Sequence, residues 1–151
     1  RTATVEPPDG GVRLEPGDYE VWVQEFVYED DHEYENRHAL LRVVKPGANP
    51  QRGEKIESSW ADTGTQGVCD FEQMLKLRLE VGEDDFVDAF EEVWSEEFIV
   101  QPEAETAAPL FVVHSGFGDG IFPVFELLQE GQLVGLEVEL IAPGTPHPFW
   151  E

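Results

Sequence analysis

LFVVHSGFGDGIFPVFELLQEGQLVGLEVELI, residues Leu110 to Ile141, is the stretch that decides the fold of this chain. Its apolar and β-branched runs predict three strands, which are Leu110 to Val113, Ile121 to Leu128 and Gln132 to Ile141. Two reversals join them, a glycine-rich corner at Ser115 to Gly120 and a turn at Gln129-Glu130-Gly131. Glycine adopts positive φ without a steric penalty, so both segments suit tight turns. The stretch therefore predicts three consecutive strands joined by two turns.

Further strand signals lie on the N-terminal side of this stretch. Aromatic and β-branched residues from Tyr19 to Tyr28 predict a strand, and apolar residues on both of its faces predict a central position in a sheet. An acidic turn at Glu29 to Glu35 precedes a second strand at Ala39 to Val44. Other assignments are a polar loop at residues 46–55, a segment with the core residue Trp60 at Ile56 to Ala61, and a short strand at Phe98 to Gln101.

One or two short helices complete the predicted fold. Asp70 is suited to cap a helix, and the segment after it matches helix and strand periodicity alike, with helix favoured. From Glu83 to Trp94 one apolar stripe faces a row of acidic residues, which is typical of an amphipathic helix. With six to eight strands, the chain is expected to be mainly β and β-sandwich-like.

The length of 151 residues fits a single domain over residues 1–151, with an irregular lead-in at 1–17 and a proline-rich tail at 142–151. Phe149 and Trp150 in the tail are expected to fold back onto the domain. Because the chain starts with Arg1 rather than Met, we expect a leader or further residues before it. A single cysteine, Cys69, allows no internal disulfide and favours a cytoplasmic location.

The charge is strongly negative and unevenly distributed. There are 33 acidic residues against 9 Lys and Arg, a net charge of −24. All the bases lie between Arg1 and Arg78, and none follows. Such a surface disfavours nucleic acid and anionic membranes, and it favours a basic protein or a divalent cation. General solubility or adaptation to high salt is the competing explanation.

Two motifs resemble a known bacterial family. Ser115-Gly116-Phe117-Gly118-Asp119-Gly120 with Phe122-Pro123-Val124-Phe125 resembles the C-terminal signature of domain of unknown function 4241. The stretch Trp60 to Asp70 is similar to its middle motif, and Pro16-Gly17-x-Tyr19-x-Val21 and Arg42 are similar to its first strands. Phe122 and Phe125 stand where the family pattern has tyrosines. The resemblance implies a compact, mainly β bacterial domain and no particular activity.

Candidate ligand-binding residues lie around the glycine-rich corner and the middle motif. They are Asp62, Asp70, His114, Ser115, Gly118 and Asp119. Oxygen ligands of this kind suit a hard cation, but their spacing matches no EF-hand, so we predict no metal and no cofactor. The competing interpretation of the corner is a structural turn in which Asp119 bonds nearby amides.

The acidic helix provides the sharpest binding feature. Its outer face presents carboxylates without a base, namely Asp84, Asp85, Asp88, Glu91 and Glu92. No Gly-x-Ser-x-Gly motif is present, and Cys69 has no basic neighbour in sequence, so catalysis is not favoured. We expect an acidic protein-binding module of the immunity or inhibitor type with a basic protein partner. The alternative is a small-ligand-binding or metal-assisted enzyme of unknown reaction, centred on Asp62, Asp70, His114 and Asp119.

Overall fold

The structure is a computed structural model that describes residues 14–61, 65–68, 79, 99–100 and 110–150. These residues form eight strands in two antiparallel sheets. The larger sheet has the order β1-β2-β8-β7-β3, with β1 at Glu20–Glu29, β2 at Tyr34–Val44, β3 at Gln51–Ala61, β7 at Gly120–Gln129 and β8 at Gln132–Glu139. The smaller sheet has the order β4-β6-β5, with β4 at Thr65–Val68, β5 at Ile99–Val100 and β6 at Leu110–His114.

The three strands predicted between Leu110 and Ile141 form, but they do not make one meander, because β6 pairs with β4 and β5 in the smaller sheet. The strands β6, β7 and β8 follow one another in the chain, and β7 pairs with β8 in antiparallel register from Val124↔Val138 to Gln129↔Gln132. Glu130 and Gly131 close this hairpin with φ angles of 52° and 78°. Two consecutive positive φ values suit the twist of an antiparallel hairpin. The glycine-rich corner, in contrast, carries the chain from the smaller sheet into the larger one.

The core lies against one face of the larger sheet. Leu41, Phe122 and Leu140 are buried there, and Val113 from β6 packs with them. Val68 from β4 adds to the same cluster. The smaller sheet therefore supplies apolar side chains to this face, an arrangement consistent with a sandwich. The expectation of a mainly β fold is confirmed.

The prediction that the first strand is central is wrong. β1 lies at an end of the larger sheet and pairs with β2. Its register changes between Gln24 and Glu25, which shifts the alternation so that Tyr28 is half-buried while Val27 is 55 % exposed. Trp22, on the face away from the core, is 58 % exposed.

Two segments assigned to loops are strands in the structure. β3 begins at Gln51, so the second half of the predicted polar loop at 46–55 belongs to an edge strand whose polar side chains face solvent. β2 begins at Tyr34, within the predicted acidic turn. Leu79 is helical and exposed, whereas the predicted helix Glu83 to Trp94 lies outside the described residues. No helix among those residues is long and apolar enough to cross a membrane.

Candidate functional site

The glycine-rich corner is closed by its own hydrogen bonds. The buried hydroxyl of Ser115 donates to the Gly118 carbonyl at 2.6 Å, and the Gly118 N–H donates to the Ser115 carbonyl at 3.1 Å. Gly116 has φ +63°, and a Cβ at this position would lie 2.6 Å from the backbone oxygen of Leu140. A side chain is therefore excluded by conformation and by space alike. The Ser115 hydroxyl is engaged in the turn. Bonding of Asp119 to nearby amides, on which the structural interpretation of this corner rests, stays a prediction.

His114 and Asp119, the two ionisable candidates on either side of the corner, are both exposed. The other two acidic candidates, Asp62 and Asp70, lie outside the described residues. Convergence of these groups on one ligand therefore stays a prediction. Across residues 14–61 and 110–150 and the shorter described segments, no group of three or more His, Cys, Asp or Glu is placed to hold a metal ion.

His114 instead meets a histidine of β2. Nδ1 of His38 accepts the backbone N–H of His114 at 2.9 Å, and the two imidazole rings stack with centroids 5.4 Å apart. Nε2 of His38 lies 3.4 Å from Oε1 of Glu25. Burial and the neighbouring His114 lower the pKa of His38, although Glu25 acts in the opposite direction. The neutral imidazole therefore links the larger sheet to the smaller one.

A second histidine, His147, anchors the proline-rich tail. Its Nδ1 accepts the backbone N–H of Phe149 at 3.2 Å, so Nε2 carries the proton and donates to Oε2 of Glu35 at 2.6 Å. This hydrogen bond lowers the pKa of Glu35; partial burial opposes the shift and the charge of Arg37 supports it. Both ring nitrogens are engaged, which suits His147 to structural anchoring rather than to proton transfer.

Aromatic rings surround His147. Trp150 stacks on it with a centroid distance of 4.1 Å, and Tyr28 and Phe117 meet its edge or face at 5.4 and 5.0 Å. The guanidinium of Arg37 lies 5.1 Å from the centre of the Phe117 ring and donates to the Gly116 carbonyl at 3.2 Å. The tail, the corner and the β1–β2 hairpin thus meet in one cluster. Trp150 packs back as predicted, while Phe149 is 75 % exposed.

An open groove of about 620 Å³ lies on the face of the larger sheet opposite the core. Trp22, Arg42 and Glu137 stand in register across β1, β2 and β8 and form its floor. The connection between β2 and β3, residues 47–50, forms a wall. This groove combines an exposed indole with a guanidinium and several backbone groups, so it is a candidate site for a ligand.

A buried carboxylate organises the floor of the groove. Glu137 is 2 % exposed and accepts from Nη2 of Arg42 at 2.8 Å and from Nε of Arg52 at 2.6 Å. Arg52 also donates to Glu139 at 2.7 Å and lies 4.1 Å from the centre of the Phe125 ring. Two guanidinium partners compensate the buried charge. Although burial opposes it, the bonds to Glu139 and Glu137 raise the pKa of Arg52.

These ion pairs compensate part of the acidic charge in the second half of the chain. Glu137 and Glu139 belong to the half that has no Lys or Arg, yet arginines of β2 and β3 neutralise them. Antiparallel pairing of β2 with β8 brings bases and acids that are far apart in sequence to adjacent strands. The segregation of charge along the chain therefore does not carry over fully to the folded surface.

Uncompensated acids remain at the tip of the β1–β2 hairpin. Asp30 shapes this tip, because its Oδ1 accepts the backbone N–H groups of His32 and Glu33, each at 2.7 Å. Exposed carboxylates of Glu29, Asp31 and Glu33 surround it and form no ion pair with any described residue. The predicted contact residues on the acidic helix, Asp84, Asp85, Asp88, Glu91 and Glu92, lie outside the described residues.

Sequence reasoning missed the His147–Glu35 pair and the role of Glu137. The first pair is separated by 112 positions, and no local pattern announces it. An ion pair of Glu137 could have been predicted, because a carboxylate within the apolar run from Leu133 to Leu140 requires a cationic partner if the strand is buried. Phe122 lies in the core, and the guanidinium of Arg52 lies over the ring of Phe125.

No protein-family model, no curated protein and no solved structure matches this chain. The likeness of its corner to domain of unknown function 4241 therefore stays a prediction from the motif residues alone.

Proposed function

We propose that this chain is an acidic binding protein that recognises a basic protein partner, in the manner of an immunity or inhibitor protein. The observation that carries the proposal is the hairpin tip, where Glu29, Asp31 and Glu33 are exposed and form no ion pair with any described residue. Asp30 holds the tip in one conformation through two backbone hydrogen bonds. A preorganised acidic loop loses less conformational entropy on binding than a mobile one.

The overall charge supports the same proposal. A net charge of −24 attracts a cationic protein over a long range and speeds its association. It disfavours nucleic acid and anionic membranes as partners, since both would be repelled. We also propose a cytoplasmic, bacterial setting and membership of domain of unknown function 4241.

Two side chains with catalytic potential, Ser115 and His147, are engaged elsewhere in the described structure. The Ser115 hydroxyl donates to Gly118, and His147 uses both nitrogens for Glu35 and Phe149. A nucleophile or a general base needs a free lone pair directed at a substrate. This engagement supports binding over catalysis as the function of the chain.

The groove on the outer face favours a second candidate function, binding of a small ligand. Its volume of about 620 Å³ lies within the range of ligand sites in proteins. Trp22 offers a flat apolar surface, and Arg42, fixed by Glu137, offers an oriented donor. The groove favours a ligand with one planar ring and one acceptor group.

Binding to immobilised chain tests the proposed function. Bacterial proteins retained at about 0.15 M salt are identified by mass spectrometry, purified and titrated against the chain at rising salt. We expect a basic protein whose affinity falls steeply as salt rises. The triple change Glu29→Gln, Asp31→Asn and Glu33→Gln should weaken it, whereas Glu54→Gln with Glu57→Gln, on β3, should have little effect. Absence of any basic partner, or an affinity insensitive to salt, would reject the proposal.

A further inference from the structure

We propose that the basic partner docks by adding an extended segment as a further strand along β1, so that the larger sheet continues into the partner. This inference rests on the proposed function and specifies how the acidic module holds its partner. The exposed edge of β1, its charge and its position beside the groove carry the inference together.

β1 offers a long and open edge. Within the described residues it pairs with β2 alone, and its ten residues give a strand of about 33 Å. Trp22 and Val27 are 58 % and 55 % exposed, so these two side chains of the strand are accessible to a partner. An antiparallel edge strand presents a row of unpaired backbone N–H and C=O groups, which is the template for strand addition.

The charge of β1 selects the kind of strand that can pair with it. Glu20, Glu25 and Glu29 lie along the strand, which carries no Lys or Arg. Two copies of β1 placed edge to edge would bring like charges together, which is unfavourable. A strand rich in Lys or Arg would instead form opposite-charge pairs across the new junction. We therefore commit to a basic segment of a different protein, and not to a second copy of this chain.

The groove supplies a contact for one side chain of the added strand. Trp22 and Glu20 line the groove on its β1 side, and Nε1 of Trp22 donates to Oε2 of Glu20 at 3.0 Å. This bond holds the indole beside a carboxylate whose negative charge it does not neutralise. A Lys or Arg side chain from the neighbouring strand can lie over the indole face and reach Glu20, which combines a cation–π contact with an ion pair.

The opposite edge of the sheet provides a matched comparison. β3 ends the larger sheet on the other side, and it carries two bases and two acids, namely Arg52, Lys55, Glu54 and Glu57. Its mixed charge gives no preference for a basic strand. We therefore expect addition at β1 and none at β3.

The test uses the full chain and a peptide of alternating Lys and Val residues as long as β1. A second peptide has the same sequence with backbone N-methyl groups on alternate residues. These groups preserve the charge of the peptide and remove the N–H donors with which it would pair. We expect the first peptide to bind and to slow amide hydrogen exchange along residues 20–29, while exchange at residues 51–61 is unchanged. The methylated peptide should bind more weakly and protect no amide.

Variants locate the contact. Glu20→Gln with Glu29→Gln removes two opposite-charge pairs and should lower the affinity for the unmethylated peptide about fivefold. Glu54→Gln with Glu57→Gln removes the same charge from β3 and should leave the affinity unchanged. If instead both peptides bind equally and without protection of β1, strand addition is wrong and attraction by the acidic surface alone is sufficient.

Two other outcomes also overturn the inference. Protection of β1 amides in the chain alone, rising with its concentration, would show that a second copy occupies the edge. Failure of the unmethylated peptide to bind would likewise reject strand addition. The proposed function itself fails only if the chain retains no basic protein in a salt-dependent manner, which is measured independently of either peptide.

Discussion

Nδ1 of His38 accepts the backbone N–H of His114, and this single bond joins the larger sheet to the end of β6 in the smaller one. The bond requires an unprotonated Nδ1, because a protonated imidazole donates from both nitrogens. Protonation would place two donors against each other at this junction. The contact between the two sheets is therefore sensitive to pH.

Lowering the pH should destabilise the protein through His38. Its folded-state pKa is depressed below the ordinary value of 6.5, mainly by burial, so the unfolded chain binds the proton more readily. The contribution of neutral His38 to stability is complete above pH 6.5. It is lost as the pH falls from 6.5 through the depressed pKa of the folded state. Urea unfolding across this window should show the loss, and His38→Gln should flatten it. His32→Gln, in the exposed hairpin tip, should leave the pH profile unchanged.

Release of the C-terminal tail is expected when His147 is replaced. His147→Ala removes the hydrogen bond to Glu35 and the stacking surface of Trp150, and it should cost about 2 kcal/mol of unfolding free energy. Amide exchange of residues 144–150 should accelerate. Glu35→Gln retains an acceptor for His147 and should have a smaller effect. Unchanged exchange in His147→Ala would show that other contacts hold the tail.

Lowering the pH below the ordinary pKa of a glutamate should weaken the contacts of Glu35 with the same cluster. The folded-state pKa of Glu35 is depressed by its bond with His147, so its contribution is present above the ordinary value of 4.5 and is lost as the pH falls below it. This range begins at a lower pH than that of His38, whose contribution starts to be lost below 6.5. Exchange of the tail amides measured against pH should increase in the lower range, and Glu35→Gln should remove that step.

Loss of the buried carboxylate in the groove should be costly. Glu137→Gln leaves Arg42 and Arg52 without their shared anion, and because both guanidiniums are partly exposed we expect about 2 kcal/mol. Glu139→Gln removes the charge of a single Arg52 partner that is more exposed than Glu137, and it should cost about 1 kcal/mol or less. Urea unfolding of the two variants measures the difference. Equal effects would contradict the central role of Glu137.

Glycine positions should differ in their tolerance of alanine. Gly116→Ala combines a positive φ with a Cβ 2.6 Å from the Leu140 oxygen, and it should cost about 3 kcal/mol. Gly131→Ala has the positive φ but no atom within 4 Å, so it should cost about 1 kcal/mol. Thermal unfolding compares them. A similar small loss in both would mean that the corner relaxes readily.

Local pattern was enough to predict the strands between Leu110 and Ile141, because alternation and turn residues act over a few positions. The glycines at 116 and 131 marked the two reversals correctly. The edge position of β1 was missed, since a strand with apolar residues on both faces resembles a central strand until its neighbours are known. Polar composition concealed the start of β3 at Gln51, where side chains of an edge strand face solvent.

The candidate sites were less accessible from sequence, because they depend on contacts between distant segments. The corner residues Ser115 and Gly118 were identified together, and the structure joins them directly. The pairing of Arg42 with Glu137 spans 95 positions, and it follows only from the placement of β8 beside β2. Charge counting along the chain could not anticipate which acids would meet a base.

The strand order has a consequence for folding of the protein during its synthesis on the ribosome. β2 and β3 are consecutive in the chain but are separated in the larger sheet by β8 and β7. The β7–β8 hairpin is synthesised after both strands and lies between them in the sheet. Among the described strands of that sheet, β3 has no partner until β7 leaves the exit tunnel, so completion of the sheet should be slow, as expected for nonlocal pairing.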